Sequence, residues 1–269
     1  MKLALRSELL KMRTMPGMWV VLLLAFPLTC LFIMFSFINA GNHTFPHHTF
    51  AAVQTLSDRR LLLGAGFRSA TLLAPVLGVL CLTVEYRHKT LTTTLLLTPK
   101  RSVVLGAKVI TTTIWCIGMA LTTFIAVFAL GLPWDASMGG SASSVLNQAG
   151  AVMPQMFAVT VLLGLFGLGF GTLVKNQIAG VLVTIGESLI LEGLLVLLFV
   201  EVFHYDLNWL PGEATASFAG ILAKGASFGG TGSSIFSLLP WWQGGLAMLG
   251  WGVGPLTIGY FTTFRRDVT

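Results

Sequence analysis

Long apolar runs alternate with short polar segments along the 269-residue chain. Each run is about 20 residues long, which is the length that an α-helix needs to cross the hydrocarbon core of a bilayer. The pattern predicts an all-α polytopic membrane protein with one transmembrane domain over residues 1–269. Its six transmembrane helices are expected at Met18–Ile38, Leu61–Val84, Val109–Leu130, Ala151–Val174, Ile178–Val200 and Trp241–Phe264.

Composition supports the membrane assignment. Apolar residues make up 55% of the chain and charged residues 10%, whereas soluble domains carry about 25% charged residues. The net charge of +6 therefore bears on membrane topology, and we expect no nucleic-acid partner. The three cysteines form no C-x-x-C pair, so neither a disulfide framework nor a zinc site is predicted. The first apolar run is longer than that of a signal peptide, which favours a retained span.

The distribution of basic residues predicts that both termini are cytoplasmic. With this orientation the inner segments hold most of the cations, namely Lys2, Arg6, Lys11, Arg13, Arg87, Lys89, Lys100, Arg101, Lys108, Lys175, Arg265 and Arg266. The outer side holds only Arg59, Arg60, Lys224 and Arg68. Such a bias is typical of the positive-inside rule and requires an even number of spans.

Two connecting regions have features of membrane-surface segments. Residues 1–16 form a moderately amphipathic helix, in which Ser7, Glu8 and Lys11 face away from the apolar ribbons. We expect this helix to lie among the inner lipid headgroups and to end at Pro16-Gly17. The outer loop 204–239 combines aromatic residues with a Gly/Ser stretch. It is predicted to dip back into the membrane, provided that its backbone is shielded by protein or water.

The loop at residues 85–101 connects the second and third spans and is the most informative segment. It begins with Glu85-Tyr86-Arg87-His88, continues through threonines and leucines, and ends at Thr98-Pro99-Lys100-Arg101. Because the residue before proline avoids helical geometry, a short helix is predicted from about Thr90 to Leu97. Such a helix could dock into a soluble partner, or the basic loop could simply rest on anionic lipid.

The residue order of this loop carries a family resemblance. The run from Glu85 to Ser102, followed by Val-Leu-Gly-Ala-Lys up to Lys108, resembles the coupling segment of bacterial type-2 ABC transporter permeases, especially the small actinobacterial ones. A second segment, Gly169–Gly180, is similar to the junction between the fourth and fifth spans of these permeases. With the basic N-terminal helix and the six spans, the resemblance covers nearly the whole chain.

The resemblance implies a permease subunit of an ATP-driven exporter in the bacterial plasma membrane. It implies separate nucleotide-binding ATPase subunits, a second permease that is either identical or related, and contact with membrane lipids. ATP and Mg would bind to the partner and no cofactor to this chain, which has no G-x-x-x-x-G-K-[ST] run and is not expected to be an enzyme. The implied ATPase-coupling residues are Glu85, Tyr86, Arg87, His88, Thr90, Leu91, Leu95, Lys175 and Asn176.

Glu187 and Glu192 lie well inside the fifth span, where an ionised carboxylate is costly. They are candidates for the substrate pathway, or they form structural hydrogen bonds between helices. Their separation of five residues predicts different helix faces. Arg68 is a weaker pathway candidate, since its side chain can also snorkel outward. An ion-gradient-driven transporter or channel that uses both glutamates is the alternative function.

Two further patterns predict no site. His43, His47 and His48 have no acidic or cysteine neighbour, so no metal is expected there. Gly225–Gly229 matches G-x-S-x-G, but it lies in a loop rather than between a strand and a helix. In contrast, Gly164, Gly167 and Gly171 predict a small-residue surface on the fourth span for close helix packing. The cargo stays open among drug-like molecules, lipids, peptides and polysaccharide precursors.

Overall fold

The computed structural model describes residues 2–41, 56–90, 94, 100–137, 142–174, 176–203, 208–219 and 239–264. Over these residues the regular structure is helical throughout. The helices are α1 (Lys2–Thr14), α2 (Pro16–Gly41), α3 (Leu56–His88), α4 (Arg101–Ser137), α5 (Ala142–Leu173), α6 (Gln177–Gly186), α7 (Glu192–Phe203), α8 (Pro211–Ala219) and α9 (Trp241–Gly259). A π-turn, Glu187–Leu191, joins α6 to α7, and a second one, Tyr260–Phe264, continues α9.

Five of the helical segments are long and apolar enough to cross a membrane, which indicates a multi-pass membrane protein. They are Pro16–Met34, Arg68–His88, Arg101–Pro133, Met153–Leu173 and Gln177–Leu195. The sixth predicted span is helical, as α9 and its π-turn. It does not belong to these five, because glycines, tryptophans and a glutamine dilute the apolar residues of α9.

The helix bounds differ from the predicted spans mainly at α4. This helix begins at Arg101, eight residues before the predicted start at Val109, so Lys108 lies two turns inside it. In the preceding loop, Thr94 is helical and its N–H donates to the Thr90 carbonyl over 3.0 Å. The predicted helix from Thr90 to Leu97 otherwise lies outside the described residues.

Close packing of α3 against α5 forms the centre of the bundle. In the membrane-crossing segment of α3, 83% of the residues are buried, compared with 11% in the segment formed by α6 and α7. Gly78 of α3 contacts Gly164 of α5, and Gly167 contacts the Pro75 carbonyl, each without room for a Cβ atom. The predicted small-residue surface of α5 is therefore confirmed, since backbones can approach so closely only where side chains are absent.

Several connections meet at the same end of the bundle. The end of α3 lies beside the start of α6, because Arg87 Nη1 donates to Gln177 Oε1 over 3.4 Å. The end of α9 lies there too, since Gly259 packs on Thr172 near the end of α5. Helix α8 lies at the opposite end, where Gly244 and Gly245 of α9 contact it. We refer to the two ends as the α1 end and the α8 end.

The π-turn changes the geometry of the fifth span. The Glu192 N–H donates to the Glu187 carbonyl, which is the i→i+5 pattern of a π-helix. A π-turn holds more residues than an α-helical turn, so five residues rotate the helix only a little beyond one full turn and the two glutamates lie near the same face. The expectation of different faces assumed a regular α-helix and does not hold over this turn.

Candidate functional site

Four charged side chains meet inside the protein at the α1 end. Glu8 and Lys11 come from α1, Glu85 from the last turn of α3 and Lys108 from α4. We call these four residues the charge cluster. Lys108 Nζ lies 2.8 Å from Glu8 Oε2 and 3.0 Å from Glu85 Oε1. Lys11 Nζ lies 2.8 Å from Glu8 Oε1 and 2.9 Å from Glu85 Oε1. Each carboxylate thus contacts both ammonium groups.

Helix geometry brings the α1 residues to this site. Glu8 and Lys11 are three residues apart and so share one helix face. Met12, on the same face, is buried and its sulfur contacts the Cys81 sulfur of α3 over 3.7 Å. Lys108 Nζ also approaches the Cys81 carbonyl, at 3.4 Å. Of the three residues expected to point away from the apolar ribbons, Glu8 and Lys11 thus face the bundle, whereas Ser7 is exposed.

The cluster is neutral as a whole and strongly buried. Lys108 is 0% exposed and Glu85 is 1% exposed, whereas the Lys11 side chain keeps 30% of its surface accessible. Buried charges are tolerated only with well-placed partners, and removal of one partner costs about 3–5 kcal/mol. Glu85 Oε1 accepts from Lys11 Nζ and forms an ion pair with Lys108 Nζ, while its Oε2 has no hydrogen-bond partner among the described residues. The cluster therefore ties three helices together.

The pKa values of the two α1 residues reflect these ion pairs. Burial alone would raise the pKa of Glu8, but the charges of Lys108 and Lys11 and their hydrogen bonds outweigh burial and hold it below the ordinary 4.5. Burial alone would lower the pKa of Lys11, yet hydrogen bonds and charge from Glu8 and Glu85 raise it above the ordinary 10.5. Both groups are consequently ionised at neutral pH.

The cluster also contacts the loop between α3 and α4. Lys11 Nζ donates to Thr94 Oγ1 over 3.0 Å. The Thr90 N–H donates to the Glu85 carbonyl over 3.1 Å. The start of this loop is therefore attached to α1 through a side chain and to α3 through its backbone.

The predicted coupling residues differ in exposure. Arg87, His88 and Thr90 are exposed, as expected of a docking surface, and Tyr86 is half-buried. Glu85, in contrast, is buried inside the cluster, because its carboxylate pairs with two lysines of the same chain. It was predicted at the partner contact, whereas in the isolated chain its side chain faces the interior. Leu91, Leu95 and Lys175 lie outside the described residues.

Asn176 has a local structural role at the start of α6. It is exposed, and its side-chain oxygen accepts from the N–H groups of Ile178 at 3.0 Å and Ala179 at 3.4 Å. This is an N-cap, which satisfies donors that the first helical turn leaves free. Because Arg87 reaches the adjacent Gln177, the Asn176 turn and the start of the loop form one continuous surface.

Sequence reasoning missed three of the four cluster residues, namely Glu8, Lys11 and Lys108. Lys108 was assigned to the inner loop because the third span was expected to begin at Val109. An ionisable residue inside a span needs a partner, and a helix start at Arg101 would have raised that question. The sequence carries no signal that the partner is Glu8, since the two residues are 100 positions apart.

The three predicted pathway residues have separate partners. The Arg68 guanidinium lies 5.7 Å from the centre of the Phe32 ring, a cation–π contact between α3 and α2. The Glu187 carboxylate accepts from the Ser188 hydroxyl at 3.4 Å. Glu192 Oε1 accepts from two backbone N–H groups of α8, those of Gly212 and Glu213. The Glu192 contacts are the stronger set and join different helices.

Comparison with known proteins does not assign the chain to a family. No protein-family model matches the sequence, and no curated protein is significantly similar to it. Among the described residues, no group of three or more His, Cys, Asp or Glu side chains could hold a metal ion. The fold and the charge cluster define a helical, multi-pass membrane protein in which buried ion pairs fasten α1 to the bundle.

Proposed function

We propose that the chain is the membrane-embedded permease subunit of an ATP-driven exporter. One observation carries the proposal: the charge cluster joins α1, the end of α3, the start of α4 and Thr94 of the intervening loop. A partner that moves this loop would therefore move three helices together. This arrangement suits a permease driven by a separate engine, as the resemblance of residues 85–108 to ABC permeases implies.

In this proposal the loop at residues 85–101 receives the force. ATP and Mg bind to the separate nucleotide-binding subunits, and closure of these subunits displaces the loop. Arg87, His88 and Thr90 are exposed at its start and provide the docking surface. Glu85 acts from inside, where its ion pairs with Lys11 and Lys108 keep the loop start rigid against the bundle. A cavity between two permease copies then switches from inward to outward access.

The membrane orientation of the proposed pump is argued from the basic residues at the α1 end. The described residues that flank the helices at the α1 end include Lys89 and Lys100. Positive loops favour the cytoplasmic side, so in this proposal the α1 end faces the cytoplasm and α8 faces the outer side. Six spans, with α9 as the sixth, and a bacterial plasma membrane complete the proposal.

A second candidate is a transporter driven by an ion gradient. It is favoured by the half-buried Glu187 carboxylate in the π-turn, because π-turns are frequent at functional sites. The two candidates differ in their energy source. Transport by the reconstituted chain that requires a bound ATPase supports the pump. Transport that persists without any ATPase and collapses with the proton gradient would overturn it.

A further inference from the structure

We propose that Glu192 is a positioning residue that caps α8 from the fifth span and joins that span to the sixth through α8. Its capping role is independent of the proposed function. Its importance for export rests on that function. The sequence offered the substrate pathway and structural hydrogen bonding as two uses of this carboxylate, and the geometry points to a specific form of the second.

Unpaired backbone N–H groups at the start of α8 explain why the Glu192 carboxylate lies there. The first N–H groups of a helix have no partner within the helix. Pro211, at the first position of α8, has no N–H group. The Ala214 N–H already donates to the Leu210 carbonyl over 2.8 Å. Two N–H groups are left between them, those of Gly212 and Glu213, and both donate to Glu192 Oε1, at 2.6 Å and 3.2 Å.

The close approach of the Glu192 side chain to the start of α8 depends on a glycine. A Cβ atom on Gly212 would lie 2.6 Å from both Glu192 carboxylate oxygens, much closer than van der Waals contact allows. Nothing lies within 4 Å of the corresponding position on Gly193, the residue after Glu192. The two glycines therefore form a matched pair, because alanine at Gly212 would displace the Glu192 carboxylate, whereas alanine at Gly193 has open space.

Helix α8 is in turn firmly attached to α9. Gly244 contacts the backbone of α8, and Gly245 packs on the Phe218 ring. The Thr215 hydroxyl donates to the Met248 sulfur over 3.2 Å. Just before α8, the Trp209 carbonyl accepts from the Trp251 indole N–H over 2.7 Å. The segment at residues 208–219 is thus fixed to the sixth span. Glu192 attaches the fifth span to this segment.

Among the described side chains, the half of the fifth span nearest α8 has few other contacts with the bundle. Its apolar side chains there are exposed on the molecular surface, including Leu189, Ile190, Leu191, Leu194, Val202 and Phe203. Both hydrogen bonds converge on one side-chain oxygen of Glu192, so loss of that oxygen leaves two backbone donors of α8 without a partner at once. We therefore infer that Glu192 fixes the α8 end of the fifth span relative to the sixth. In an exporter this joint sets the spacing of helices at the outer side.

Amide hydrogen exchange of the full chain in lipid nanodiscs tests the cap directly. Glu192→Leu removes the acceptor, whereas Glu192→Gln keeps a carbonyl oxygen in the Oε1 position and removes the charge. We expect exchange at Gly212 and Glu213 to become roughly tenfold faster in Glu192→Leu, as for the loss of a helix cap. Glu192→Gln should stay within roughly threefold of the parent chain. Gly212→Ala should resemble Glu192→Leu, and Gly193→Ala should resemble the parent.

Unchanged exchange in Glu192→Leu, or equal exchange in the two alanine variants, would overturn the cap. Exchange in Glu192→Gln as fast as in Glu192→Leu would also overturn it. Export by the same variants then tests the positioning role: Glu192→Gln should retain export that Glu192→Leu loses. If Glu192→Gln abolishes export while its exchange is normal, the charge acts on cargo or protons and the positioning role is wrong. The exchange result stands whether or not the chain proves to be an exporter.

Discussion

Lys108 of α4 and Glu8 of α1 are 100 positions apart in the chain, yet Nζ and Oε2 lie 2.8 Å apart in the protein interior. Lys108 is fully buried and Glu8 is 3% exposed. The pair connects a helix that the sequence places at the membrane surface to one that crosses the membrane. An ammonium group in this environment is stable only because carboxylates surround it, so the position of α1 depends on this contact.

The first prediction concerns the stability that Lys108 provides. Lys108→Met leaves two buried carboxylates with Lys11 as their one partner in the cluster, and it should lower the free energy of unfolding by about 3–5 kcal/mol. Lys100→Met removes an exposed lysine and should change it by less than about 0.5 kcal/mol. Unfolding by SDS in mixed micelles measures both. Equal effects of the two substitutions would contradict a buried ion pair.

The second prediction concerns coupling within the cluster. Adding Glu8→Gln to Lys108→Met leaves one carboxylate, Glu85, paired with one ammonium, Lys11. The double variant should therefore be more stable than the sum of the single effects predicts, by about 1–3 kcal/mol. The same unfolding assay provides this double-mutant cycle. Strict additivity would show that Glu8 and Lys108 act independently.

The third prediction is a pH dependence that originates from Glu8. Its pKa in the folded protein lies below the ordinary 4.5, so the unfolded chain takes up a proton more readily as the pH falls. The stability from Glu8 is thus fully present above about pH 4.5 and is lost as the pH falls through the lower folded value. Glu8→Gln should flatten stability below about pH 4.5, whereas Ser7→Ala, at an exposed position of α1, should keep the slope of the parent. A steep slope in Glu8→Gln would assign the acid sensitivity to other groups.

The fourth prediction concerns helix packing. Gly167→Ala puts a methyl group against the Pro75 backbone and should destabilise the bundle by about 1–3 kcal/mol. Gly250→Ala meets open space in α9 and should be neutral or stabilise the helix by up to about 1 kcal/mol. Thermal unfolding in nanodiscs compares the two variants. Similar melting temperatures would show that α3 and α5 do not approach as closely as described.

Much of the helical architecture could be predicted from the sequence, because each apolar run of about 20 residues has one stable form in a bilayer. The small-residue surface of α5 could also be predicted, because Gly164, Gly167 and Gly171 recur at helical spacing. The charge cluster could not be predicted from the sequence. Lys108 follows several basic residues near the start of a span, and this pattern is explained equally well by the positive-inside rule.

The fifth span shows a different limit of sequence reasoning. Assigning faces to Glu187 and Glu192 required an α-helical period, and the π-turn changes the period where these residues lie. The partner of Glu192 was also hidden, because its acceptor role depends on backbone N–H groups of Gly212 and Glu213. Backbone donors have no signature in the side-chain sequence, apart from Pro211 at a helix start.

A fifth prediction separates docking from folding at the loop between α3 and α4. Arg87→Glu changes an exposed side chain whose hydrogen bond to Gln177 is long, at 3.4 Å, and should alter the free energy of unfolding by less than about 0.5 kcal/mol. It should nevertheless weaken binding of the ATPase subunit by at least about tenfold, because the charge at the docking surface is reversed. Glu85→Gln should instead destabilise the bundle. Unfolding and ATPase-binding assays on both variants distinguish the two roles.

The most direct test of the proposed pump is photo-crosslinking from this loop in the native membrane. A photoreactive amino acid at Thr90, which is exposed, should crosslink the full chain to a protein that contains a phosphate-binding loop and hydrolyses ATP. The same probe at Trp242, an exposed position at the α8 end, should not capture that protein. A crosslinked ATPase that is lost in Arg87→Glu is the predicted result. Export by membranes in which position 90 contacts no ATPase would contradict the account.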